Sequence, residues 1–256
     1  MDNAKFYEAF DWGSFTDAEI NVKNILKTIP EDVQSIIDVG CGNGLITNVL
    51  SEKYTVLGVD RSQKALAFVN SDKLLASCDK IPVANKSFDL VLCSEVLEHL
   101  PDDVFYSTIN ELDRIANKYI LISVPNQESI NKGMIRCPKC QFVYHRNLHM
   151  RSFNHEVFAK LYPTYELIEH KAFGLKVRQY NSFLSRIKHN ITPSTSWIPW
   201  FWTKNSSRKS FCPNCEIEFE NKYKFNFLSL SLDIINILMS SKKEFWLMVL
   251  LKRKEI

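Results

Sequence analysis

Glycine is scarce in this chain. Seven are present in 256 residues, well under the roughly 7% of an ordinary globular composition. Three of them, Gly40, Gly42 and Gly44, fall within five positions, so the freest backbone is concentrated in one loop. An even cysteine count is also lacking. The seven cysteines stand at 41, 78, 93, 137, 140, 212 and 215, and an odd number on a chain of this length argues against a disulfide framework. The N-terminus has no basic start followed by a long apolar core, so no secretory signal peptide is expected. The apolar run near 225–239 is broken by Asn226, Ser229, Ser231, Asp233 and Asn236, and no transmembrane segment is expected. These absences together lead to the expectation of a reducing, cytoplasmic setting.

Acidic residues are missing from one region. From His170 to Cys215 there are eight Lys/Arg and no Asp or Glu. The net charge of +3 hides this asymmetry: residues 1–128 hold 11 Lys/Arg against 20 Asp/Glu, and residues 129–256 hold 21 against 9. A basic half suits phosphate, nucleic acid, an acidic glycan or an anionic membrane surface, and a merely solvated face is the alternative. With 45% hydrophobic and 24% charged residues, the composition is globular, and the length admits one large domain or two small ones.

The first half has a βα rhythm. Apolar spacing predicts a helix over 16–29, ended by Pro30. Strands are expected at 35–39, 54–59, 74–77, 88–93 and 119–124. Helices are expected between them, one capped by Ser62 and one following Pro101-Asp102-Asp103. Such alternation builds a parallel sheet with helices on both faces, whose ligands sit beyond the carboxyl ends of the strands. After Val124 the rhythm breaks. A short helix near 154–162, a sixth strand at 165–173, an irregular basic and aromatic stretch at 175–224, a helix or mixed apolar segment at 227–239 and a closing strand at 244–254 complete the reading.

Asp38-Val39-Gly40-Cys41-Gly42-Asn43-Gly44 follows a strand and opens a helix. Missing side chains at 40 and 42 let the backbone turn tightly and touch a ligand. Asp38 suits a cationic amino group better than a pyrophosphate. On this loop, on Asp60 ending the second strand, and on the segment Ala76 to His99, the chain resembles the class I S-adenosylmethionine (SAM) methyltransferases of the type 11/23 kind. The resemblance is strongest over residues 30–125. It implies an α/β, Rossmann-like seven-stranded sheet with helices on both faces. It also implies a SAM site made by Asp38, Gly40, Cys41, Gly42, Asp60, Arg61, Ser77, Cys78, Asp79 and Ser94. Asp60 would take the ribose hydroxyls, Arg61 would flank the adenine, and Ser77, Cys78 and Asp79 would read its edge. The usual acid of that edge falls on Ser77, with Asp79 two residues later.

Glu95, Glu98 and His99 have the spacing of one helical face, and two carboxylates with an imidazole suit Mg²⁺ or Mn²⁺. The pattern resembles the E-x-x-E-H of ubiquinone-pathway O-methyltransferases and of small-RNA 3′-terminal ribose methyltransferases. In the latter a later histidine completes the site; His149 is the first candidate here and His145 the second. The alternatives are His99 as a general base and a packing role.

Cys137-Pro-Lys-Cys140 and Cys212-Pro-Asn-Cys215 are matched knuckles. Paired thiolates at i and i+3 suit one structural, tetrahedral Zn²⁺; the rival set replaces the second pair by two of His145, His149 and His155. The 71 residues between the pairs are no veto, since loop closure grows slowly with length. Cys41, Cys78 and Cys93 read as small packing residues. Trp197, Trp200 and Trp202, followed by Lys204, Arg208 and Lys209, could stack bases or a sugar, sit at a membrane interface, or pack around the knuckles. Tyr7, Phe10 and Trp12 fit a lid.

The expected organisation is a helical cap at 1–33, a SAM-binding core at 34–125, an insert with both knuckles and strand six at 126–224, and a C-terminal helix and closing strand at 225–256. The expected activity is SAM-dependent O-methylation of a small molecule or a glycan or lipid-linked acceptor, with peripheral membrane contact open. The alternatives are metal-dependent RNA ribose 2′-O-methylation and a non-catalytic zinc-ribbon protein with a degenerate SAM fold. No N-P-P-Y-type motif for base-amine methylation is present.

Overall fold

The computed structural model describes residues 19–191, 209–220 and 225–255. The candidate lid aromatics at 7, 10 and 12 and the tryptophans at 197, 200 and 202 lie outside them. The described chain forms two compact units. One holds residues 19–126, 153–175 and 244–255; the other holds 127–152 and the described parts of 176–243.

The first unit is the sheet. Helix α1 (Glu19–Thr28) precedes β1 (Ser35–Val39). Then follow α2 (Leu45–Leu50), β2 (Thr55–Asp60), α3 (Gln63–Leu66), β3 (Asp72–Leu75) and β4 (Phe88–Ser94). Helix α4 (Asp102–Ile115) leads into β5 (Ala116–Pro125), and α5 (His155–Leu161) into β8 (Tyr165–Arg178), with β11 (Lys242–Arg253) last. The seven-stranded order is β3-β2-β1-β4-β5-β11-β8. Strands β1 to β5 pair in parallel, and β11 runs antiparallel to β5. The order reverses at β1, which pairs with both β2 and β4. That makes the ends of β1 and β4 a topological switch point, where α/β sheets open a ligand crevice.

Alternation along the strands fills two cores. Ile37, Val39, Val91, Cys93, Ile120 and Ile122 face one side with Ile109 and Leu112 of α4. Ile36, Val56, Leu90, Leu92 and Leu121 face the other with Ile25 of α1 and Ile29 just after it. Both faces are therefore covered, as near-continuous apolar strands require. Ser62 caps α3 by accepting the Ala65 N–H, as its sequence position predicts.

Three details differ from the sequence reading. The third strand is 72–75 rather than 74–77, because Asp72 to Leu75 pair with Leu57 to Asp60 and the chain then turns at Ser77–Lys80. The sixth strand continues to Arg178 through Gly174, whose φ of +89° places it where Trp246 would meet a Cβ at 2.4 Å. The stretch at 175–224 is not wholly irregular. It includes α6 (Ser182–Ile191) and a hairpin of β9 (Lys209–Phe211) and β10 (Glu218–Glu220).

The second unit also holds the hairpin of β6 (Met134–Arg136) and β7 (Val143–His145) and helix α7 (Phe227–Met239). The contiguous 126–224 insert is thus interrupted. Residues 153–175 belong with the sheet, where β8 is the edge strand, and α7 belongs with the hairpins.

Leu112 is fully buried on α4, so Leu112→Ala should lower stability by about 2–5 kcal/mol through lost burial and a cavity. Tyr106→Ala on the exposed face of the same helix should change it little. Urea denaturation of both variants checks this, and equal losses would contradict the assigned faces.

Candidate functional site

At the switch point the glycine loop is fixed by its own backbone. The N–H groups of Gly40 and Cys41 both donate to the Val59 carbonyl, at 2.7 and 3.0 Å. Gly40, Gly42 and Gly44 have φ of +78°, +55° and +76°, a conformation that costs a side-chain-bearing residue free energy. Gly40 also has no room, since a Cβ there would stand 2.2 Å from Val96 Cγ2. Gly44 is the N-cap of α2.

Two carboxylates end the adjacent strands. Asp60 accepts the Gly42 N–H through Oδ2 (2.9 Å) and the Ser62 N–H through Oδ1 (2.8 Å). Asp38 accepts the Thr47 hydroxyl at 2.7 Å. Both are buried. Burial raises the Asp38 pKa to about 7, opposed by the Thr47 bond and assisted by the charge of Asp60. Burial also raises that of Asp60, opposed by its backbone hydrogen bonds and by Arg61. Thr47, two residues into α2 and invisible to motif reading, is thus part of the site.

The adenine-edge candidates lie on the turn after β3. Ser77 Oγ donates to Asp79 Oδ1, and Thr108 Oγ1 donates to Cys78 Sγ at 3.3 Å. The turn is braced from α4, where Glu111 accepts the Ile81 N–H (2.7 Å) and Arg114 donates to the carbonyls of Ile81 and Val83. Burial raises the pKa of Cys41, Cys78 and Cys93, which suits packing thiols. Ser94 ends β4, buried, with its hydroxyl unpartnered among the described residues.

Glu95, Glu98 and His99 do not share a helical face. Glu95 has a φ of +57° with its N–H on the Ser123 carbonyl. Only a 3₁₀ turn at Leu97–His99 follows before α4 begins at Asp102. The i, i+4 spacing is therefore broken at its first member. Glu98 is fully buried and His99 Nε2 lies 3.8 Å from Glu98 Oε1.

In the second unit the four knuckle cysteines converge, every sulfur within 4.8 Å of the others. Cys137 and Cys215 sulfurs are 3.6 Å apart, as are those of Cys140 and Cys212. A disulfide is about 2.05 Å, whereas the edge of a ZnS₄ tetrahedron with bonds of about 2.3 Å is about 3.8 Å. The two loops are alike: Gln141 N–H returns to the Cys137 carbonyl, Glu216 N–H to that of Cys212, and both Gln141 and Glu216 have positive φ. The donor set fits zinc.

His145 and His149 are not needed for that set. They stack with ring centroids 4.9 Å apart and face Glu128. His149 Nδ1 bonds Glu128 Oε2, and His145 Nδ1 accepts the His149 N–H at 3.3 Å. Burial holds His145 neutral, its pKa lowered to about 4 against the pull of Glu128. Gly133 makes room for it, since a Cβ there would meet His145 Nε2 at 1.8 Å. Glu128 was not singled out from sequence; its only signal is an acid beside two closely spaced histidines of one unit.

Comparison with known proteins places residues 37–119 in a family described as a methyltransferase domain. A ubiquinone biosynthesis O-methyltransferase of Pseudomonas entomophila is 29% identical over 139 residues, covering 40% of this chain and 59% of that one. The protein of the same name from Thiobacillus denitrificans is 32% identical over 118 residues, covering 36% and 50%. The match thus spans little more than half the length of these relatives. Among solved structures, a SAM-dependent methyltransferase from Archaeoglobus fulgidus superposes with a TM-score of 0.55 at 14% identity, covering 91% of each chain.

Gly40→Ala should weaken SAM binding by about tenfold or more, from the left-handed backbone and the Val96 collision. Adding Val96→Ala should recover part of it; no recovery in calorimetry would show that the collision is not the cause. Protonation of Asp38 removes its attraction for a cationic group. SAM affinity should therefore fall as pH drops through about 7, and this dependence should disappear in Asp38→Asn.

Proposed function

We propose that this chain, a class I SAM-dependent methyltransferase by its fold and by the methyltransferase domain of residues 37–119, methylates an oxygen on a small-molecule, glycan or lipid-linked acceptor. The observation that carries the cofactor half of this reading is the pair of buried carboxylates, Asp38 and Asp60, gathered around a loop of three left-handed glycines. When bound, SAM supplies an electrophilic methyl on a sulfonium. Asp38 takes the ammonium end of the ligand. Asp60, whose oxygens already hold two backbone N–H groups, keeps lone pairs for the ribose hydroxyls. Gly40 and Gly42 let the backbone lie against the ligand, with Cys41 between them. Arg61 flanks the adenine, Ser77, Cys78 and Asp79 offer its edge their polar groups, and Ser94 closes the floor at the end of β4.

His99 is the proposed base. It takes the proton that an acceptor hydroxyl loses as the oxygen takes the methyl from the sulfonium, whose sulfur keeps the bonding pair, and the Glu98 carboxylate lies 3.8 Å from its Nε2. Orientation of acceptor against cofactor supplies much of the remaining rate. The choice of oxygen rests on the likeness to the O-methyltransferases above. The sequence pattern leaves open a Mg²⁺ or Mn²⁺ at Glu95, Glu98 and His99, completed by His149, which would serve RNA ribose methylation. The breaking of the Glu95 spacing weighs against it. A degenerate, non-catalytic fold is opposed by the intact Asp38, Gly40, Gly42 and Asp60. In the second unit, Cys137, Cys140, Cys212 and Cys215 hold a structural Zn²⁺.

Calorimetry should show SAM binding by the parent protein and its loss in Asp60→Ala; no binding by the parent overturns the main reading. His99→Ala should leave SAM affinity unchanged while lowering kcat by about 10²–10⁴. Tritiated methyl transfer into fractionated extract should label small molecules or lipids, and label confined to RNA would move the acceptor to ribose.

Metal analysis of the purified protein should give one zinc per chain, lost in Cys212→Ser. Zinc retained in that variant would favour the set that uses histidines.

A further inference from the structure

Helix α7 is turned inside out. Its residues at i, i+4 and i+7, Ser229, Asp233 and Asn236, are the buried ones. On the opposite face Phe227, Leu228, Ile234, Ile235, Leu238 and Met239 are exposed, Leu238 at 79%. A helix of a globular protein ordinarily buries the apolar stripe and exposes the polar one.

The inward face explains how the helix is held without apolar burial. Asp233 accepts both short bonds of the Lys188 ammonium from α6, at 2.7 Å each. Asn236 Oδ1 accepts the Asn181 N–H at 2.9 Å. The Arg178 guanidinium donates to the Ile237 carbonyl at 2.9 Å, and Asn226 caps the first turn by accepting the Ser229 N–H. Three polar contacts to neighbouring segments, with the cap, thus fix one face. The six apolar side chains on the other contribute little to that attachment. Phe183 and Ile191 of the neighbouring α6 and Phe225 before α7 are also exposed.

The unit that carries this helix is strongly basic. The sequence of the second unit, 127–152 with 176–243, holds 16 Lys/Arg against 5 Asp/Glu, a balance of +11 in a chain whose total is +3. We propose that the outward face of α7, with its neighbours on α6, is the surface by which this chain docks in the plane of an anionic lipid bilayer. The aliphatic side chains enter the boundary of headgroups and acyl chains, and the surrounding lysines and arginines face the lipid phosphates. The helix is 13 residues long, about 20 Å. Among the described residues no helix is long and apolar enough to cross a membrane, so this is attachment in the interface. A nucleic acid fits the charge, and Phe183, Phe225 and Phe227 could stack on bases, but the aliphatic majority of the face, Leu228, Ile234, Ile235, Leu238 and Met239, offers neither a stacking plane nor a hydrogen bond to a base. The proposal does not depend on the methyl acceptor.

Co-sedimentation of the full chain with phosphatidylglycerol–phosphatidylcholine vesicles tests it. Binding is expected at low salt, weaker at high salt and absent with pure phosphatidylcholine. The double variant Ile235→Asp, Leu238→Asp should bind about tenfold or more weakly while melting at the parent temperature, since both side chains are exposed. No sedimentation with the anionic vesicles, or equal sedimentation of the double variant, overturns the proposal. So does a parent dimer in ultracentrifugation that the double variant abolishes, which would assign the face to a second copy. Binding of single-stranded RNA without binding of vesicles would assign the basic charge to nucleic acid instead.

Discussion

Two carboxylates buried at the ends of neighbouring strands constrain everything around them. Asp60 ends β2 and Asp38 stands one residue before the end of β1, the two strands running in register with Val39 opposite Val59. A buried carboxylate is costly unless hydrogen bonds satisfy it. Asp60 takes its bonds from the backbone of Gly42 and Ser62, and Asp38 from the hydroxyl of Thr47. These bonds dictate the loop between β1 and α2. To carry Gly42 to Asp60 while Gly40 and Cys41 share the Val59 carbonyl, the chain must turn left-handed repeatedly. Val96, leaving β4, then fills the space where a side chain at 40 would stand. The site is left with concentrated negative charge, and a cationic ligand relieves it. A cofactor with an ammonium and a sulfonium, as proposed above, would meet that requirement, and a pyrophosphate would not.

How much of this was legible depended on whether the signal was local. The parallel core could be read because each strand is an apolar run bounded by turn residues, and the glycine cluster stood out against a chain with so few glycines. Asp60 was found because it ends a run that must be a strand. Thr47 and Val96 were missed because their roles exist only after β1, β2 and β4 have met. The shift of β3 by two residues has the same cause, since pairing with Leu57 to Asp60 sets the strand, not its own composition. Glu95 failed differently. Spacing assumes a helix, and the left-handed residue that breaks it carries no mark in the sequence.

The second unit shows what spacing alone cannot give. Two C-P-x-C pairs announce a shared site, and the convergence of their sulfurs agrees with it. The discontinuity of the unit was hidden. Its two segments are separated by residues 153–175, which leave to supply α5 and most of β8 to the sheet. A small unit assembled from separated segments has little contiguous core, and four sulfurs from both segments on one ion would replace the packing it lacks. The neighbouring polar cluster has a different logic. Glu128 receives the Nδ1 proton of His149, which fixes that ring's tautomer as a carboxylate partner does for a functional imidazole.

Helix α7 joins these arguments. Hydropathy reads 227–239 as a segment to bury, and its polar residues look like interruptions. They are instead the attachment, because Asp233 and Asn236 meet Lys188 and the Asn181 backbone. A sequence cannot say which face of an amphipathic helix turns inward when the protein offers polar partners rather than a core. The two units therefore differ in kind. The sheet unit carries the excess of acids and gathers two of them, Asp38 and Asp60, at the glycine loop. The other carries the excess of basic residues, brings four sulfurs together and leaves the apolar face of α7 exposed.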